Sequence, residues 1–76
     1  MTAADWARAV RCVDRILRLV PDNAEAMRDR GMGYLELGHS TAAVRDLGQY
    51  IQMTPEADDV ENVRNRLLEQ RLQRLH

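Results

Sequence analysis

The sequence predicts an all-α fold of about four helices, packed antiparallel in helix-turn-helix pairs. Three observations predict it. Apolar residues recur at three- and four-residue steps through nearly the whole chain, proline or glycine interrupts that pattern between segments, and no segment alternates with the period of two that a half-buried strand requires. The connections are only a few residues long, which leaves neighbouring helices antiparallel.

The first helix is expected over 5–20, where Ala9, Val10, Val13, Ile16, Leu17 and Val20 share the helical period and Pro21 stops it. Asp22 and Asn23 are capping residues, with Glu25 three after Asp22 as in a capping box. A second helix follows from Ala24 to about Leu37 and ends at Gly38. Ser40 is a natural N-cap for a third helix, which runs over Ala42 to Met53 until Thr54-Pro55, so that 24–53 forms one complete pair. Asp58, with Glu61 three residues on, opens a fourth helix over 58–75. Val60, Val63, Leu67, Leu68, Leu72 and Leu75 form its one apolar stripe.

The pattern repeats at an offset of 34 residues, since Pro21 falls on Pro55 (55 − 21 = 34), Ala9 on Ala43 and Val10 on Val44. The offset fails at the end: Gly31 falls on Asn65 and Gly38 on Leu72. The fourth segment therefore lacks a small packing residue and a break, and is expected to run on as a capping helix dressed by Arg64, Arg66, Arg71 and Arg74.

Composition excludes several function classes. The 76 residues allow one small domain with a formal net charge of −1, which exerts no general pull on nucleic acid or anionic membrane. All eleven basic residues are Arg, so Schiff-base lysine chemistry and a phosphate-cradling lysine are absent. The single Cys12 cannot form an internal disulfide, as fits a reducing compartment, and the start of the chain lacks the pattern of a signal peptide; a cytoplasmic location is expected. No apolar run approaches the roughly 20 residues of a membrane span. Cys12, His39 and His76 are the candidates for thiol or imidazole chemistry, but they fall mid-helix, in a turn and at the end, without a third orienting group. No spacing of metal ligands and no glycine-rich phosphate loop occurs; Gly31 and Gly33 read as close-packing positions. No cofactor is expected.

The second and third helices resemble a tetratricopeptide repeat. Gly31, Tyr34, Gly38, Ala43 and Pro55 stand where that family has its small, aromatic, small, small and proline positions, and Met27 and Leu47 keep apolar character where aromatics are usual. The resemblance implies that Gly31 and Ala43 allow two helices to approach closely, that Tyr34 wedges beside them, and that Trp6, Ala9 and Pro21 belong to the second half of a preceding repeat. Two residues depart from the pattern. Tyr50 replaces a small residue and is expected to push the following helix outward. Arg30 replaces the usual Leu on a packing face, so a pair with Asp46 or a main-chain carbonyl is expected, because a buried guanidinium is costly alone.

A more specific resemblance lies in Arg28-Asp29-Arg30-Gly31, Tyr34, Leu37, Ala43, Asp46-Leu47 and Tyr50. It points to the C-terminal repeat region of bacterial transglutaminase-like/tetratricopeptide proteins known as invasion-gene regulators, and covers about two-thirds of the chain. The thiol-protease-like domain that lies upstream in that family has no counterpart here, so no catalytic residue carries over.

The repeat resemblance also implies a candidate peptide groove on the concave face: Arg28, Met32, Leu35 and Glu36, with Asn62 and Arg66 opposite. The Lys–Asn carboxylate clamp of some family members has no counterpart, since Lys is absent and Met32 stands where Asn is expected. Arg8, Arg11, Arg15 and Arg18 form a stripe that reads either as a docking site for an acidic partner or as a solvated face partly neutralised by Asp5 and Asp14. Trp6, Ala9, Val13 and Ile16 cannot all face the second helix at once and form a candidate self-association face, expected to give a homodimer through the first helix. The expected function is a protein–protein interaction or scaffold module with no catalysis of its own, binding a protein or peptide and neither nucleic acid nor membrane. The alternative is an accessory C-terminal domain of a transglutaminase-like or protease-like enzyme.

Overall fold

The computed structural model describes residues 1–74, the Arg74 side chain excepted; Leu75 and His76, the expected end of the fourth helix and one of the two histidines, lie outside the described residues. Four helices follow one another, α1 (Ala3–Leu19), α2 (Ala24–Glu36), α3 (Ser40–Met53) and α4 (Val60–Arg74), and no strand occurs among the described residues.

Side-chain caps set the starts of α1 and α2; α2 begins at Ala24 as expected, while the starts of α1, α3 and α4 each shift by two residues. α1 starts two residues early because Thr2 and Asp5 form a reciprocal capping box: the Asp5 N–H donates to Thr2 Oγ1 at 3.2 Å and the Thr2 N–H donates to Asp5 Oδ2 at 3.0 Å. Asn23, rather than Asp22, caps α2 by accepting from the Ala26 N–H at 3.1 Å. Ser40 is not the cap of α3. It is the first helical residue, preceded by His39, and its hydroxyl instead accepts from Gln70 Nε2 of α4 at 2.8 Å. α4 begins at Val60 rather than Asp58, because the chain is still turning through Asp58 and Asp59.

The end of α2 is a Schellman turn. Gly38 has φ +77°, its N–H donates to the Leu35 carbonyl, and the His39 N–H donates to that of Tyr34 at 2.8 Å. Only glycine takes that backbone conformation without steric cost, so the α2–α3 reversal needs Gly38.

The core lies among α2, α3 and α4. Leu35, Ala43, Leu47, Tyr50, Val60 and Val63 are buried together, with Met32, Tyr34, Ile51 and Leu67 packed against them. Leu47 and Val63 are the largest of the fully buried side chains, and each contributes about 1.5–3 kcal/mol by leaving water. α1 adds Val10 and Leu17 from the other side of α2. Two glycines let the helices close in. A Cβ at Gly31 would sit 2.6 Å from Leu47 Cγ and 3.2 Å from Asp46 Cβ, so the residue it makes room for is Leu47 and not the expected Ala43. A Cβ at Gly33 would sit 2.8 Å from Val10 Cγ2, which places α1 equally close on the opposite side.

The apolar stripe of α4 is only half used. Val60 and Val63 are buried and Leu67 partly so, whereas Leu68 and Leu72 are 54% and 57% exposed. The single apolar stripe thus splits into a packed N-terminal half and an open C-terminal half.

Candidate functional site

Arg28 and Arg30 are two residues apart on α2, so about 200° of helical rotation sends them to opposite sides. Arg30 points toward α1 and α3. Its Nε and Nη2 donate to the two carboxylate oxygens of Asp46 at 2.7 and 2.9 Å, and its Nη1 donates to Asp14 Oδ1 of α1 at 2.9 Å. Asp46 is 3% exposed, so this is a charge pair largely withdrawn from water, with its geometry filled by a planar fork. The bonds to Asp46 hold the Arg30 guanidinium well above the ordinary arginine value, against the opposing effect of burial. One side chain therefore ties three helices together.

Arg28 points toward α4. Burial works against its charge, but bonds to Asp59 at 3.0 Å and Asp29 at 3.1 Å outweigh that and raise its pKa. Its guanidinium carbon lies 5.8 Å from the centre of the Tyr50 ring, within cation–π range. The Tyr50 hydroxyl donates to Asp59, which also accepts from Arg28. Tyr50 is buried between α3 and the turn that leads into α4, and its bond, followed by that of Arg28, holds the Asp59 carboxyl below the usual carboxylate value against partial desolvation.

The residues of the expected peptide groove are distributed unevenly. Leu35 is a correction: it is buried in the core and faces no groove. Met32 is half-buried against that core. Arg28 is taken up by Asp59, and Glu36 accepts from Arg66 Nη2 of α4 at 3.1 Å. Asn62 is exposed. The inner face of α2 is thus linked to α4 and the turn before it by ion pairs at both ends, and a peptide laid there would compete with them.

The expected self-association face is also divided. Trp6, Ala9 and Val13 are half-buried, with Trp6 beside the close contact between Val10 and Gly33, while Ile16 is 44% exposed. The turn of the helix explains the split: Trp6, Val10, Val13 and Leu17 recur at three- and four-residue steps toward α2, and Ile16 does not belong to that row. Beyond it, Leu19 and Val20 are also exposed. Arg8, Arg11, Arg15 and Arg18 are all exposed along α1. Asp14, expected to neutralise that stripe, turns inward to Arg30 instead. Cys12 is exposed on α1, and His39 lies with its ring centre 5.9 Å from that of Tyr34.

Asp14 and Asp59 are the polar residues that sequence reasoning missed. Asp14 carried a signal, because it stands between Val10 and Leu17 at helical steps, an acid set into an apolar row. Asp59 carried none beside Asp58.

No helix among the described residues is long and apolar enough to cross a membrane. Two curated proteins, each called "UPF0162 protein", from Xylella fastidiosa strains Temecula1 and 9a5c, are both 52% identical to this chain over 64 residues. The match covers 84% of this chain and 23% of each relative, so the chain spans under a quarter of the length of the curated relatives it matches. No solved structure matches. Residues 1–68 match the family model of the tetratricopeptide repeat. With four antiparallel helices, the glycine turn at Gly38 and the close approach at Gly31, the chain belongs to the tetratricopeptide-repeat family.

Proposed function

We propose that this chain is a protein–protein interaction module that does no chemistry of its own. The observation that carries the reading is the division of labour among its side chains. The charged groups drawn into the fold, Arg28, Arg30, Asp14, Asp46 and Asp59, hold helices to one another, while apolar side chains that would close a core, Ile16, Leu19, Val44, Leu68 and Leu72, stay open to water. Exposed apolar rows beside charged residues suit a surface that another protein covers. Isolation of a partner on the natural protein, followed by rebinding of that purified partner to this chain, tests the reading. Rebinding that fails, with the chain shown to be folded, sinks it.

A second reading is favoured by the 23% coverage of the UPF0162 relatives, in which the matched segment accompanies a much longer chain. In it the module is the accessory C-terminal domain of a transglutaminase-like or protease-like enzyme and steadies the catalytic part or positions its substrate. An upstream domain bearing Cys, His and Asp in the same reading frame supports this; a reading frame without one removes it. A homodimer through α1 would now rest on Ile16, Leu19 and Val20. Light scattering at micromolar concentration reads it, and Ile16→Glu should return the chain to monomer.

A further inference from the structure

We infer that the outer groove between α3 and α4 docks an amphipathic helix with acidic flanks, supplied by a partner protein. The inference rests on the interaction-module reading and names its surface. The groove has a volume of about 750 Å³, and its walls include Thr41, Val44, Arg64, Leu67, Leu68 and Arg71. Val44 is 46% exposed and Leu68 54%, and Leu72, one turn beyond Leu68, extends the same apolar edge. It is the position where a further helix would lie if the array continued. α1 packs against α2 beside α3, and the next such place is beside α4 against the outer side of α3.

Charge selects the occupant. Arg64 and Arg71 flank the apolar floor, and among the described residues neither has an acidic partner. No acidic residue lines the groove. A second copy of this chain is a poor fit. Its α1 would bring the exposed Arg8, Arg11, Arg15 and Arg18, and its α4 a second pair of Arg64 and Arg71, so like charges would meet across a desolvated contact. A helix with apolar residues at i, i+3, i+4 and i+7 and Glu or Asp along both edges satisfies the floor and the walls together.

The test uses the 76-residue chain, isotopically labelled for amide spectra, and two synthetic helical peptides that share one leucine stripe. One is edged with Glu and the other with Lys. The Glu-edged peptide should bind, shift the amides of 40–48 and 64–72, and weaken as salt rises. Leu68→Glu, at an exposed position, should weaken binding about tenfold with an unchanged melting temperature. Arg64→Glu with Arg71→Glu should reverse the preference toward the Lys-edged peptide. Equal binding of both peptides overturns the charge argument. Shifts gathered on α1 or on the inner face of α2 overturn the groove while leaving the interaction reading in place. Binding by neither peptide also overturns the groove, and the partner-rebinding experiment then decides separately whether the interaction reading falls with it.

Discussion

The two sides of α2 use the same device with opposite results. On one side Arg30 joins Asp14 and Asp46, and the helices on either side close onto glycine. On the other side Arg28 joins Asp59 beside Tyr50, and α4 leans on a short buried row of Val60 and Val63. The Asp46 side chain is 4% exposed, whereas that of Asp59 is 32% exposed. The strength of an ion pair depends on what surrounds it. The enclosed pair is committed, because removal of one partner leaves a charge with no water to hold it. The open pair can exchange its partner for solvent at little cost. The first side is therefore a rigid joint and the second an adjustable one.

The largest expected effect breaks the rigid joint. Arg30→Met strands the buried Asp46 carboxylate and should cost about 3–5 kcal/mol in urea unfolding, while Asp46→Ala, which leaves Arg30 more exposed and still bonded to Asp14, should cost clearly less. If both variants cost the same, the stranding of a buried charge is not what sets the loss. Next is Gly31→Leu. Leu47 has no room to retreat from a side chain there, and the variant should lose about 1–3 kcal/mol or more. Gly48→Ala is its control: nothing lies within 4 Å of the added carbon, so the helix should gain about 0.5–1 kcal/mol. A loss at Gly48 would show that helix backbone, not close approach, governs both positions.

The adjustable joint should respond more weakly and in a different variable. Tyr50→Phe removes one hydrogen bond and should cost about 1 kcal/mol. Asp59 titrates below its ordinary value of 3.8 in the folded chain, so the folded state binds its proton less readily than the unfolded state does. Its contribution is complete above that ordinary value and fades as pH falls through the lower folded value. Amide protection in α4, taken relative to the intrinsic exchange rate at each pH, should therefore fall on acidification from pH 5 to pH 2 before that of α1 and α2, and Asp59→Asn should flatten the dependence. The smallest effect belongs to Arg66→Ala, since both members of the Glu36 pair are more than 40% exposed; a change within about 0.5 kcal/mol is expected by thermal melting.

The sequence made the helices legible because their signals are local: period, proline, glycine. It also made Arg30 and Asp46 legible as a pair, since each is a charge on a face that otherwise packs. What it hid depends on distances through space. Asp14 reaches Arg30 from a different helix, and Gly31 meets Leu47 instead of Ala43 because the helices cross at a particular height. Which of Asp58 and Asp59 meets Tyr50 depends on where one turn ends, and adjacent residues of the same type leave that open. The exposure of Leu68 and Leu72 was likewise hidden, because an apolar stripe announces that it wants cover without saying whether this chain provides it.

Trp6 is the single tryptophan, and it sits beside the contact of Val10 with Gly33, on the α1 side of α2. Its fluorescence consequently reports the closure of the rigid joint and is blind to the docking of α4, whereas ellipticity counts every helical residue equally. The chain thus carries an internal gauge of its own cooperativity. Where the two signals trace one unfolding curve, α4 leaves together with the rest; where ellipticity falls first, the interval between the curves measures how independently the last helix comes and goes.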